Sequence, residues 1–194
     1  MRALLEEAAG KASPVQRAKP AASARSAQVA PAPARGLRVL GLDPGSVRTG
    51  WGVVEWETSC ARGIAAGVIR VPESAPIAER LRRIHAGVCE VLAQHRPDAV
   101  AVEDIFFARY PRAALMLGHA RGVAVLAAAQ AELAVTAYPP AVVKRALVGS
   151  GRADKQQVAQ LVGAVLGWKE LPSVDATDAL AIALTHLNAS RLGR

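Results

Sequence analysis

A chain of 194 residues that is 52% apolar and 21% charged can bury the core of one domain, and its formal charge of +8 favours a polyanionic partner. No uninterrupted apolar run reaches the length of a membrane span, which points to a soluble protein. Cys60 and Cys89 are the only cysteines, far apart and in no CxxC, so a thiolate zinc site is disfavoured and a reducing, cytoplasmic compartment is expected.

Residues 1–36 are rich in Ala, Pro, Ser and Arg and carry six Lys/Arg against Glu6 and Glu7. That composition cannot bury enough surface to offset ordering, and it reads as a disordered basic tail ahead of a domain over 37–194. An organelle leader suits the Ser and Arg content but not Glu6-Glu7. Strands are expected at 37–43, 50–57 and about 61–71, joined by short Gly-containing turns into an antiparallel meander. Ile77, Leu81, Ile84, Val88, Val91 and Leu92 recur at helical spacing until Arg96-Pro97-Asp98 stops the helix. A fourth strand, 99–102, ends in Glu103. The Ala-rich stretch 112–132 predicts a long, central, closely packed helix. A strand at 134–138 and helices at 140–147, from Asp154 and over 173–190 complete an α/β domain with a mixed sheet flanked by helices.

Four acidic residues stand at the edges of apolar segments. Asp43 ends the first strand before Pro44-Gly45, Glu103 ends the fourth, and Asp175 and Asp178 share one face of the last helix near its first turn. If the first and fourth strands are neighbours, Asp43 and Glu103 leave the same sheet edge, where the final helix can bring two more carboxylates. Four carboxylates repel one another unless cations bind, and oxygen donors without His or Cys select Mg²⁺ or Mn²⁺. Two such ions ~3.5–4 Å apart activate water and stabilise the leaving oxygen in phosphodiester cleavage. Each residue also has a plainer role: Asp43 as turn initiator, Glu103 as a solvated strand end, Asp175 as N-cap and Asp178 as a first-turn charge. Only the joint pattern favours the metal.

The segment IFFARY, 105–110, gathers both Phe of the chain and one of its two Tyr beside Arg109. Phe106 there is either a core side chain under a loop or a stacking platform for a base. Lys144, Arg145, Arg152 and Lys155 surround Gly149 and Gly151, as on a solvated helical surface or a phosphate-contacting edge. His85, His95, His119 and His186 show no metal-ligand pairing.

GLDPGSVRTGWGV, AVEDIFFAR, ALMLGHARGVA, VKRALVGSGRADKQQV and DATDALAIALTH, in that order, resemble the RuvC crossover-junction endodeoxyribonucleases of the RNase H-like superfamily. The resemblance covers 37–190. It implies an RNase H-like fold and a homodimer that nicks two like-polarity strands of a four-way Holliday junction in recombination and repair. It places the Mg²⁺ ligands at Asp43, Glu103, Asp175 and Asp178, two ions per site with Mn²⁺ able to substitute. It places the stacking aromatic at Phe106 and functional lysines at Lys144 and Lys155, with Arg109 as a further DNA contact, and it implies RuvA and RuvB as branch-migration partners. Arg109-Tyr110 replaces a common Lys-Asn, His119 a usual Gln, and some relatives carry His in place of Asp175.

Two rivals share the strand-end Asp. An actin-like or sugar-kinase ATPase needs a second lobe and a second phosphate loop, which ~158 residues without another DxG strand do not supply. An RNase H-like nuclease trimming ribosomal RNA precursors lacks the aromatic segment and DATD. A non-catalytic DNA-binding module would lack at least one of the carboxylates.

Overall fold

Strand β1 (Arg38–Asp43) is followed by β2 (Arg48–Glu57), β3 (Cys60–Arg70), α1 (Ile77–His95), β4 (Ala99–Glu103), α2 (Pro111–Gln130), β5 (Ala134–Tyr138), α3 (Pro140–Val148), α4 (Lys155–Leu166) and α5 (Val174–Leu192). The computed structural model describes residues 36–104 and 111–192, so the expected tail up to residue 35, Phe106 and Arg109 lie outside the described residues. The five strands form one sheet in the order β3-β2-β1-β4-β5. β1, β2 and β3 are the expected antiparallel meander, and β4 and β5 run parallel to β1. The fold class read from the sequence is the one observed. One turn differs from expectation: β2 reaches β3 through Thr58-Ser59, with Thr58 at φ 51°, and no glycine is used.

Alternation along β1 and β4 builds two cores. Leu40, Leu42, Val100 and Val102 face α1 and α2, packing with Val88, Val91 and Ala124. Val39 and Ala101 face the opposite layer, where Leu180, Ala183, Leu184 and Leu187 of α5 meet Val158 and Val162 of α4. α1 ends where the sequence says it should: Arg96 takes a left-handed conformation at φ 45°, its N–H donates to the Leu92 carbonyl, and Pro97 cannot continue the helix.

The expectation of α2 as the central helix is corrected. α5 occupies that place, with Ala176, Ala179, Leu180, Ala181, Ile182, Ala183, Leu184 and Leu187 all buried. α2 buries only Ala120, Ala124, Ala127 and Ala128, against α1 and the sheet, and leaves Leu115 and Leu126 59% and 50% exposed. Apolar composition says that a helix packs on something, not on what. α2 is also 20 residues long with a mean hydropathy of 1.2, long and apolar enough by composition to cross a membrane. Arg112, His119 and Arg121 break its apolar run but not its average.

Glycines decide where α5 lies. A Cβ on Gly41 of β1 would fall onto the Ala179 carbonyl oxygen and within 2.9 Å of the Ala183 Cβ, and one on Gly50 of β2 would fall onto the Asp175 carbonyl. The bare backbone lets the helix rest directly on the sheet, its first turn at the C-terminal end of β1.

Candidate active site

Asp43 follows Val39 and Gly41 at period two, so its side chain leaves β1 on the α5 face, and Glu103 follows Ala101 in the same way. Parallel pairing of Leu42 with Val102 sets the two carboxylates side by side. The first turn of α5 then brings Asp175 and Asp178 to them. Ser173 precedes that helix as its cap: its hydroxyl accepts from the Ala176 N–H at 3.3 Å, and its carbonyl accepts from the Thr177 hydroxyl at 2.7 Å. Asp175 is therefore free of the capping role that the plainer reading gave it.

The cluster is electrostatically tense. Asp43 is pushed up to about 8, first by burial, then by the charge of Glu103 and a hydrogen bond to it, then by Asp178 and Asp175. Burial and the charge of Asp178 raise Glu103 too, while its hydrogen bond with Asp43 and the nearby Lys155 hold it lower. The raised Asp43 favours its protonated form, which donates to the Glu103 carboxylate. Cations quiet the other two acids. Lys155 Nζ lies 3.0 Å from Asp178 Oδ2, a bond that holds the ammonium charged, and Arg48 Nε lies 3.3 Å from Asp175 Oδ2.

Supporting side chains fix the backbone around the acids. Arg121 of α2 donates to the Glu103 carbonyl at 3.1 Å and reaches Asp104 Oδ1 at 3.4 Å. Buried Arg80 of α1 donates from Nε to the Ser46 carbonyl at 2.8 Å, and the Thr49 hydroxyl donates to the Gly45 carbonyl at 3.0 Å, so the loop after Asp43 is held from two sides. A cavity of 370 Å³ is lined by Asp43, Arg48, Glu103 and Asp175. Another of 290 Å³ is lined by Glu103, Lys144, Lys155 and Asp178. The sequence reading named Lys144 and Lys155 but missed Arg48, Arg80 and Arg121. An isolated Arg carries no periodic signal, although Arg48 sits within GSVRTG.

Among the described residues no three acidic, His or Cys side chains are drawn close enough to grip one ion as they stand. The donor set nonetheless suits a divalent cation. Neighbouring carboxylate charges that raise the proton affinity of Asp43 and Glu103 would be relieved by a positive ion among them.

This tension has a measurable consequence in chelator. Asp43 loses its proton near its ordinary 3.8 when unfolded but only at about 8 when folded, so the native state binds more protons between those values. The contribution to stability is complete below about pH 4 and is lost as pH rises through about 8. His95 and His186, whose proton affinity burial lowers, oppose it below their ordinary 6.5, which leaves pH 7–9 as the window to examine. With a folded value of about 8 the fall from pH 7 to 9 is at most about 1.4 kcal/mol, so after the discount for partial solvent access about 1 kcal/mol or less is expected, and Asp43→Asn should flatten it. Chemical denaturation with and without millimolar Mg²⁺ measures this, the ion reducing the slope of the unaltered chain.

Residues 39–186 match the family described as "Crossover junction endodeoxyribonuclease RuvC". The chain belongs to this family. The Crossover junction endodeoxyribonuclease RuvC of Azorhizobium caulinodans is 49% identical over 150 residues, which cover 77% of this chain and 89% of that protein. RuvC of Sorangium cellulosum is 49% identical over 154 residues, 79% and 86% of the two chains. The structure of Thermus thermophilus RuvC in complex with a Holliday junction substrate superimposes with a TM-score of 0.77 at 45% identity, covering 81% of this chain and 96% of that one. Yeast mitochondrial Holliday junction resolvase Ydc2, 13% identical with a TM-score of 0.57, shares the fold. The span matched to RuvC contains all four clustered carboxylates and both lysines.

Proposed function

We propose that this RuvC-family chain resolves four-way DNA junctions by metal-dependent nicking of two strands, with Asp43, Glu103, Asp178 and Asp175 as the carboxylates of the site. The observation that carries the reading is the convergence of these four acids from β1, β4 and α5, where Asp43 and Glu103 are hydrogen-bonded to each other and the charges of Glu103, Asp178 and Asp175 all raise Asp43. Mg²⁺, or Mn²⁺ in its place, would be held by these residues and would supply a hydroxide-forming water and a counter-charge to the leaving oxygen. The chain's own contribution is placement. Arg121 fixes the backbone at Glu103, Arg80 and Thr49 fix the loop after Asp43, and Lys144 and Lys155 line the neighbouring cavity, where ammonium groups suit a phosphate chain. Cleavage of a mobile synthetic junction in Mg²⁺, beside linear duplex and structured RNA, tests the reading. Equal cutting of the RNA would favour the rRNA-trimming alternative.

Phe106 and Arg109 remain proposed junction contacts on the strength of the sequence. Phe106→Ala should lose roughly 1–3 kcal/mol of base stacking, lowering junction cleavage while thermal stability holds. A core role would instead cost about 3–5 kcal/mol of stability and leave cleavage per folded molecule unchanged. The basic tail over 1–36 is proposed as an accessory to the nuclease domain over 37–194. RuvA and RuvB as partners, and a cytoplasmic location, follow from the family resemblance.

A homodimer is supported by the exposed side of α2. Leu115, His119, Gly122, Leu126 and Ala129 recur at alternating steps of four and three and are all exposed, the seam spacing of packed helix pairs. No atom lies near where a Cβ on Gly118 or Gly122 would be, so a second helix can approach closely. Leu126→Glu should weaken self-association by about a hundredfold, since a two-fold interface suffers the change twice. It should barely shift the melting of the monomer, because Leu126 is 50% exposed there. Sedimentation equilibrium reads the first effect and calorimetry at low concentration the second.

A further inference from the structure

The β2–β3 ladder is charged at both ends, and the two ends are built differently. At the end far from the carboxylates each arginine meets an acid. Arg62 stands opposite Glu55 in the register and pairs with Glu57 at 3.4 Å, while Glu55 holds Arg38 at 2.7 Å. At the end beside the carboxylates Arg48 stands directly opposite Arg70. The pair is held in register, because the ladder continues past it: the Val71 N–H donates to the Val47 carbonyl at 2.9 Å, and Val71 is buried. Directly opposed side chains leave a sheet on one face with Cβ atoms about 5 Å apart, and like charges so placed repel. That face carries the site. Gly50, two residues on from Arg48, opposes Asp43 and lies under the Asp175 carbonyl, so Arg48 and Arg70 leave on the α5 side as well. Both arginines are exposed. Among the described residues Asp175 is the one acid paired with either, through Arg48 Nε at 3.3 Å, and Arg70 has no ion-pair partner. Arg48 also lines the cavity that holds Asp43, Glu103 and Asp175.

We propose that Arg48 and Arg70 form a two-arginine clamp on the DNA strand being cut, closing on one phosphodiester close to the scissile one. The inference rests on the nuclease reading and adds to it a phosphate contact at the β2–β3 end of the site. Lys144 and Lys155 do not supply that contact, since they line the cavity that holds Glu103 and Asp178 but neither Asp43 nor Asp175. A phosphate fits the pair. Its charge relieves two opposed guanidinium groups, and its non-bridging oxygens accept in parallel from planar N–H forks. Neighbouring strands lie about 4.8 Å apart, so Arg48 and Arg70 stand roughly 5 and 10 Å across the sheet from the strand of Asp43. At about 3.4 Å or more per nucleotide, that is a phosphate within about three nucleotides of the cut. Such a contact positions the strand over the carboxylates and reads no sequence.

The test uses the full chain and a synthetic four-way junction, with affinity read in Ca²⁺ across about 50–200 mM salt and cleavage in Mg²⁺. Arg70→Ala should weaken binding about three- to tenfold and lower the salt slope by about 0.9, the amount of one phosphate contact. Adding Arg48→Ala should bring the loss of slope to about 1.8. In cleavage, the effect of Arg70→Ala should fall mainly on KM. Arg70→Lys keeps the charge and loses the fork, so it should restore most of the slope but not all of the affinity. Arg62→Ala, exposed at the far end of β3, should match the unaltered chain in slope and KM. Melting curves should show the Arg70 variants no less stable than their parent, since a repelling charge is gone. Junctions carrying one methylphosphonate at a time, neutral in place of a phosphate charge, locate the contact. One position within about three nucleotides of the cut should weaken binding by the unaltered chain and not weaken the double variant further. A junction neither bound nor cut by the unaltered chain would reject the nuclease reading and the clamp with it. An unaltered chain that binds and cuts, beside a double variant of the same slope and KM, would overturn the clamp alone. Methylphosphonates that weaken both chains equally at every position would do the same.

Discussion

Asp43→Asn is expected to abolish junction nicking while leaving junction binding close to that of the unaltered protein. The substitution keeps the shape of the side chain and removes the charge. Asp43 is the residue on which the field of the other three acids converges, and it alone is pushed up to about 8. A neutral amide there can still pair with Glu103, so the loop held by Arg80 and Thr49 has no reason to move. What would be lost is the proposed cation ligand and the negative charge that Asp43 takes on when an ion displaces its proton. Binding should survive, because the contacts proposed for the junction, Phe106, Arg109, Lys144 and Lys155 among them, are basic and aromatic residues and not the carboxylates. In chelator the variant should be somewhat more stable above neutral pH, since one member of a repelling cluster no longer ionises. Gel assays of a synthetic junction, with binding read in Ca²⁺ or chelator and cleavage in Mg²⁺, separate the two outcomes. If Asp43 were only a turn residue, Asn would serve nearly as well and cleavage would persist. Nicking above a few per cent of the unaltered rate would therefore reject its place in the site.

Much of this site was legible because strands are simple objects. A period of two fixes which face a residue leaves, and a buried run closing in a carboxylate marks where that face meets solvent. Asp43 and Glu103 could be paired on that ground, given only that β1 and β4 are neighbours, which the sheet order bears out. The helices were harder. α2 and α5 are both rich in Ala and Leu, and apolar, Ala-rich composition alone made α2 the central one. The signal that decides between them lies in the sheet. Gly41, Gly50 and Gly52 form a bare track on β1 and β2, against which the backbone of α5 at Asp175 and Ala179, the Ala183 methyl and the Leu180 side chain come to rest. The arginines were illegible for a different reason. Arg48, Arg80 and Arg121 act through one or two bonds each, to partners far away in sequence, and no spacing rule announces them.

That glycine track leads to the second large effect. Gly41 is not in the left-handed region, so Ala at this position is conformationally allowed, and by chain entropy alone Gly41→Ala should stabilise by about 0.4–1 kcal/mol. The contacts predict the opposite sign. The new methyl would fall onto the Ala179 carbonyl oxygen and sit 2.9 Å from the Ala183 Cβ, so it meets helix backbone rather than a side chain that can turn aside. α5 must lift, and α5 fills the core on its side of the sheet. Overpacking of this kind costs about 1–3 kcal/mol and more where backbone is struck, so a loss near the upper end is expected for Ala and a larger one for Val. The same displacement carries Asp175 and Asp178 away from Asp43 and Glu103. Nicking should therefore fall further than the folded fraction does, and raising the Mg²⁺ concentration should recover part of it. Denaturation curves and cleavage rates per folded molecule, measured on the same preparation, check both statements. A Gly41→Ala protein more stable than its parent would mean that α5 does not rest on β1 as described. A destabilised variant with full activity per folded molecule would mean that the carboxylates of α5 take no part in the reaction.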